Sequence, residues 1–416
     1  MIRRMTTRAV GGCVSSVGLL WVLACGQSVA AAELGPGDDL CAAINALAAG
    51  EELVLQPGDY QGPCAIRRGG APGAPIVIRA ADPERRPRIV YAGDNANVLE
   101  VHASHVRISG LEFGPTQWGV DAIRIFGGTD ISVEQCLFSR VGGIAVVANS
   151  ASVTRLAVVR NVIRDSNSTG MYFGCHDGVR CTVSGLRVEG NFIHEVRALD
   201  PEVGYGLEVK LNSSGIIRDN VIVNTKGPGI MVYGSRDLMA TSLVERNFVM
   251  GSHTSSGIVV GGGPVLVRNN IAAGNAEGGV GLEDYGRRGL LRGVVVVHNT
   301  FYRNVTAGIF VPGDSIQDAT LVNNVVQARA GTSAFPKSKP GLRQAGNVDC
   351  TWAPCFADPE RLDFSPLVGS LLSTPGSVRA EAWSPADDFF RARRDALPVA
   401  GAVERRAKPV TLGPKP

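Results

Sequence analysis

The chain has 416 residues, 44% hydrophobic and 19% charged, and its formal charge of +3 falls to 0 without the first 32 residues, which hold three arginines and no acids. That balance supplies no basic surface for a nucleic acid. Beyond residue 32 no apolar run approaches the ~18 residues that span a bilayer.

The opening MIRRMTTR, the apolar run Val17 to Ala24 and the small-residue stretch SVAAA before Glu33 predict a secretory signal over residues 1–32 and an exported, periplasmic or secreted, mature chain. Val22-Leu23-Ala24-Cys25 also resembles a lipoprotein box, which would put a lipid anchor on Cys25. Seven of the nine cysteines lie beyond Ala32. The close pairs Cys175/Cys181 and Cys350/Cys355 suit disulfide-closed loops in an oxidising compartment, and Cys41 with Cys64 suits a tie between the N-terminal segment and the first strands. Cys136 is left over and is expected to be a buried, inert thiol. Asp39 followed by LCAAINALAA predicts a short N-capped helix.

A repeat then sets the fold. VVRNVI, VEGNFI, IRDNVI, VERNFV, VRNNIA, VVHNTF and LVNNVV place Asn161, Asn191, Asn220, Asn247, Asn270, Asn299 and Asn324 at intervals of 23 to 30 residues. Each Asn is followed by a glycine and a short alternating strand, among them GMYFG, GLEVK, GIMVY, GIVVG, GVGLE and GIFVP. Strands this short, punctuated by Gly and Asn and with no room for a long amphipathic helix, predict an all-β, single-stranded right-handed parallel β-helix, a solenoid with one coil per repeat. The recurrent Asn is expected to bond backbone groups of its own and neighbouring coils. The helix after Asp39 would plug the first coil. Beyond about Arg329 the repeat fades, so residues 33–328 are assigned to the solenoid. Residues 329–416 are assigned to a capping tail that folds back over the solenoid and its C-terminal end.

AGEELVLQPGDYQG, APIVIRAAD and HVRISGLEF resemble the opening coils of pectate-lyase-like β-helix proteins, and of those most the chondroitinase-B and alginate-lyase type of polysaccharide lyase. The ending DFSPLVGS…ADDFFRARR…GAVE is similar to the closing segment of the same superfamily. The resemblance implies a polysaccharide lyase with a Lys base, an Arg acid and often a calcium ion held by acidic side chains.

Side chains alternate along a strand, so the post-glycine strands sort into two faces. Leu207 and Val209 should point inward. The opposite face should carry Arg124, Ala145, Tyr172, Glu208, Met231, Val259, Gly281 and Phe310 in one column, and Phe126, Val147, Gly174, Lys210, Tyr233, Gly261, Glu283 and Pro312 in a second. GLEVKLN, residues 206–212, thereby becomes the polar centre of an external face otherwise small or aromatic. Its tyrosines would offer stacking platforms for sugar rings. Loops 175–181 and 194–205 should wall a groove beside it.

On column position, Lys210 is the expected base and Tyr233 or Arg236 the acid. Tyr172, Glu208, Arg124, His176, Arg180 and Glu283 are expected to contact substrate. Glu208, with Asp177 or Glu202, would hold calcium or face a substrate carboxylate. The family's closely spaced acid pair before the Lys is not found. The expected partner is an acidic polysaccharide, bound by a monomer and cleaved by β-elimination. Two alternatives stay open: a uronate C5-epimerase, and a non-catalytic glycan-binding or cell-envelope β-helix. In the last, Glu208 and Lys210 are an exposed salt bridge worth ~0–1 kcal/mol.

Overall fold

The computed structural model describes residues 31–199, 203–237, 240–373, 383–405 and 407–414. Residues 1–30, which carry most of the expected signal and the Cys25 box, and Glu202 lie outside the described residues. Short parallel strands stack in register into three long sheets of 14, 10 and 12 strands among the described residues, each strand pairing with its counterpart one coil away. Val158, for example, stands over Val188, which stands over Ile217. No helix among the described residues is long and apolar enough to cross a membrane.

The three sheets enclose one continuous core that runs from Leu34 to Ala334 and holds Ile108, Val133, Val158, Val188, Val209, Val232 and Val260. No coil buries its inward face alone; the stack does so collectively. The helix Leu40–Asn45 covers the first coil: the Asp39 carboxylate accepts from the Ala42 amide at 2.9 Å, and Leu40, Ala43 and Ile44 are buried. A Cys41–Cys64 disulfide ties it to the strand Cys64–Ile66. The other two pairings expected from spacing, Cys175–Cys181 and Cys350–Cys355, are also formed, and Cys136 is a buried free thiol whose pKa burial pushes up to about 12.

The asparagines form a buried ladder at the corner between the 14- and 12-stranded sheets. From Asn191 onward each side-chain carbonyl accepts from the backbone and the side-chain amide of the preceding asparagine, as Asn191 does from Asn161 at 2.9 and 3.0 Å. Each amide also donates to a backbone carbonyl, as Asn247 does to Ile217 at 2.9 Å. A buried turn must pair its polar groups within the protein, and the ladder does so coil after coil.

The ladder also corrects the boundary at residue 328. Asn347 extends it, and Leu342–Ala345 pairs with Ala319–Val322, so one further coil follows. The tail folds back over the solenoid as expected. Among the described residues it lies along the outer face of the 12-stranded sheet, where Phe356, Phe364 and Phe389 bury Val221, Phe248, Ile271 and Val325 in a second cluster. Arg391 reaches Asp219 at 2.8 Å, and the buried pair Arg394–Glu404 also holds the Asn269 side chain. Apolar side chains on the outer face of that sheet require a cover; the tail supplies it.

Candidate functional site

The 10-stranded sheet carries the two outward columns. Its strands Met171–Phe173, Leu207–Val209, Ile230–Val232 and Ile258–Val260 set Tyr172 beside Glu208, Glu208 beside Met231 and Met231 beside Val259. One coil departs from the expected register: Val147, not Ala145, pairs with both Arg124 and Tyr172. The spacing from glycine to strand is longer there because Gly143 is held in the turn, where a Cβ would lie 2.8 Å from the Val120 backbone.

At the strand end the chain turns sharply after Lys210. Gly174, with φ +94°, makes room for it: a Cβ at Gly174 would lie 2.2 Å from Ser213 Oγ and 3.1 Å from Lys210 Cβ. Asn212 takes the left-handed conformation and bonds across to both flanking loops, donating to the Gly178 carbonyl at 2.8 Å and accepting from the Arg236 amide at 2.9 Å.

Glu208 and Lys210 are buried rather than exposed, at 1% and 5% of full accessibility, and Tyr233 is at 2%. The exposed surface pair is thereby overturned. The Lys210 ammonium donates to Glu208 Oε1 at 2.5 Å and lies 3.5 Å from the Tyr233 hydroxyl. It stands 4.8 Å from the centre of the Tyr172 ring and 4.5 Å from that of Tyr233, within cation–π range of both. The Tyr205 hydroxyl is 3.4 Å from that of Tyr233, and Tyr285 meets the Tyr233 ring edge-on at 5.1 Å.

Burial lowers the Lys210 pKa against the opposing pull of Glu208, and Arg288 lowers it further. Burial raises the Tyr233 pKa far above the ordinary phenol value, with the Glu208 charge adding to it, so the hydroxyl stays protonated. Burial and Glu208 raise Tyr172 in the same way and take Tyr205 to about 12. His176, on the disulfide-closed loop, is exposed, yet desolvation, Lys210 and Arg288 together lower its pKa.

The other expected residues are placed differently. Arg236 is exposed, and the bonds found for it are backbone ones, to Asn212 and from the Arg292 guanidinium. Arg124 pairs with Asp121 at 2.7 Å and stands three rungs from Glu208, roughly 14 Å along the column. Arg180 closes on Asp177 at 2.8 Å within its own loop. Amides of Val179 and Arg180 bond the Asp177 carboxylate and hold its pKa at about 2. Glu283 lies at the same strand-end position as Lys210, on the strand after that of Val260, and burial pushes its pKa up to about 7.

Of the donors expected to hold calcium, Glu208 is engaged by Lys210 and Asp177 by its own loop, Glu202 lies outside the described residues, and no cluster of three metal-binding side chains occurs among the described residues. Glu208 and Asp177 as engaged here form no calcium site, and no step is routed through one.

Arg288, Tyr285 and Tyr205 join the centre without having been singled out from the sequence. Arg288 and Tyr285 belong to the turn that follows the strand Val280–Leu282 and leans back across Tyr233. The available signal was topological: a long loop leaving this sheet overhangs the same groove whichever coil it leaves from.

Residues 175–339 match the family model described as the right handed beta helix region. No curated protein sequence matches the chain. Among solved structures, the pectate lyase Pel9A is similar over 91% of this chain and 98% of its own, at 15% identity and a TM-score of 0.53. The PL6 family polysaccharide lyase Pedsa3628 from Pseudopedobacter saltans is similar over 84% and 99%, at 14% identity and a TM-score of 0.50. The GH136 lacto-N-biosidase from Eubacterium ramulus is similar over 74% and 64%, at 11% identity and a TM-score of 0.53. At such identities the likeness is one of fold, and with the coil-by-coil register it establishes the chain as a right-handed parallel β-helix.

Proposed function

We propose that the centre at Lys210 is the active site of an exported polysaccharide lyase that cleaves a uronate-containing glycan by β-elimination. The observation that carries this reading is the placement of the buried Lys210 ammonium between the Glu208 carboxylate and the Tyr233 hydroxyl, at 2.5 and 3.5 Å. A buried ion pair costs more in desolvation than a packed apolar pair, and the same outer face carries Val147, Val259 and Gly281 elsewhere without such groups. Polar groups gathered at that cost are better explained by chemistry than by solubility.

The proton balance closes within these residues. The Lys210 ammonium paired with Glu208 is the resting form; it first loses a proton to solvent, which burial favours, and the neutral amine then takes the C5 proton. The C4–O4 bond breaks, C4 and C5 become doubly bonded, and Tyr233, held protonated, gives its proton to the departing oxygen. The Lys210 ammonium then returns a proton to the Tyr233 phenolate across 3.5 Å. Glu208 holds the lysine in place, and the half-buried Tyr172 ring offers a platform for a sugar. Two structures with this fold are polysaccharide lyases, and three disulfides suit an oxidising compartment; both support the reading.

The test is ultraviolet absorbance of the unsaturated uronate end, followed with purified protein on alginate, pectate, chondroitin, hyaluronan and heparin-type glycans, with and without calcium. A rise on one polymer that disappears in Lys210→Ala supports a lyase with its base at Lys210. Binding without any rise assigns the site to recognition or epimerisation instead.

A further inference from the structure

Removing a proton beside a uronate carboxylate spreads negative charge onto that carboxylate, so an elimination site needs a cation besides the base. Several cations flank the groove. Lys210 is closed on Glu208, Arg180 on Asp177 and Arg124 on Asp121. Arg288 differs from them. No ion pair involves it among the described residues, and its Nη1 is buried with no hydrogen-bond partner. The carboxylate of Asp284, four residues earlier, is taken by the Gly289 amide at 2.9 and 3.2 Å.

The guanidinium is held in place without an acid. Its carbon lies 5.7 Å from the centre of the Tyr233 ring and 5.8 Å from that of Tyr285, in the corner made by two rings at 89°. Aromatic packing of this kind fixes the plane of an arginine while leaving its N–H groups unspent. Gly261 leaves space for the arrangement, since a Cβ there would lie 3.5 Å from Tyr285 Cβ and 3.0 Å from Met231 Cε. A buried N–H without an acceptor is destabilising unless a ligand supplies one. The charge acts on the centre itself, because Arg288 contributes to the lowered pKa of both Lys210 and His176. Lys210 is engaged by Glu208, so Arg288 is the cation beside Tyr233 whose guanidinium is left for a ligand.

We infer that Arg288 is the recognition residue for the carboxylate of an acidic sugar bound over Tyr233, its fork donating to that carboxylate beside the Lys210 base. The inference rests on the reading of the Lys210 centre as a uronate site. It assigns the discrimination between acidic and neutral glycans to one side chain of the 285–289 turn.

The experiment is calorimetric binding of size-defined uronate oligosaccharides, prepared from the polymers above, and of their carboxyl-reduced neutral counterparts. It uses the full chain in the presence of a chelator. The wild-type protein is expected to prefer the acidic form, and Arg288→Gln to lose about tenfold or more of that preference while its affinity for the neutral form is unchanged. Arg288→Lys, which keeps the charge but not the planar fork, should recover part of it. Circular dichroism of each variant separates a lost contact from a lost fold. An Arg288→Gln protein that keeps the full preference, or a wild-type preference that emerges only on adding calcium, overturns the inference. Turnover is read separately. Acidic binding that depends on Arg288 with no unsaturated product refutes the lyase reading alone, and turnover with an intact preference in Arg288→Gln refutes the role of Arg288 alone.

Discussion

Lys210 Nζ and Glu208 Oε1 lie 2.5 Å apart on the outer face of a solenoid sheet, both largely buried. Removing one member leaves the other buried without its counter-charge. Lys210→Met is expected to destabilise the protein by about 3–5 kcal/mol, whereas Lys210→Met with Glu208→Leu should recover most of that loss. Chemical denaturation of the single and double variants checks this. Equal stability of wild type and Lys210→Met would show that the pair is solvated in solution.

Tyr233→Phe removes a hydroxyl and keeps the ring that packs on Lys210, Tyr285 and Arg288. Loss of a general acid is expected to lower kcat by about 10²–10⁴, with KM and melting temperature little changed. A parallel loss of stability and activity would instead make the hydroxyl a structural contact.

Glu283 introduces a pH dependence of stability. Its pKa is raised by burial from 4.5 to about 7, so between those values the folded protein binds more protons than the unfolded chain. Stability therefore falls as pH rises from about 4.5 to about 7 and is flat in this contribution on either side. Partial exposure screens the effect to about 1–2 kcal/mol. Melting curves across that range should show the decline in wild type and not in Glu283→Gln.

The asparagine ladder predicts a large penalty at a position far from the site. Asn247→Ala would orphan the Asn220 amide and the Ile217 carbonyl, both bonded to that side chain. At about 1–3 kcal/mol for each buried unsatisfied group, a loss of about 2–6 kcal/mol is expected in denaturant unfolding. Asn247→Asp restores an acceptor but not the donor and should recover only part.

The sequence by itself determined the solenoid. Asn161 to Asn324 recur once per coil, glycine and alternation follow each one, and an inward face of Val, Ile and Leu can be satisfied only by stacking. The disulfide pairings and the Asp39 cap were legible for the same reason, since each depends on residues close in sequence or on one local geometry. Lys210, Glu208, Tyr172 and Tyr233 could be gathered because register carries a strand position directly into a column.

The burial of that column, the displacement of Arg236 and the arrival of Arg288 were decided by tertiary structure alone. Strand alternation tells which side of a sheet a residue leaves from and nothing about what covers it. Lys210 is hidden because the Tyr172 and Tyr233 rings of neighbouring coils close around it, and Tyr233 is in turn packed by Tyr205 and Tyr285 on loops whose paths no periodicity encodes. The tail followed the same logic: its aromatics were visible in the sequence, but the face they cover was set by apolar outward residues such as Val221 and Phe248 on distant coils.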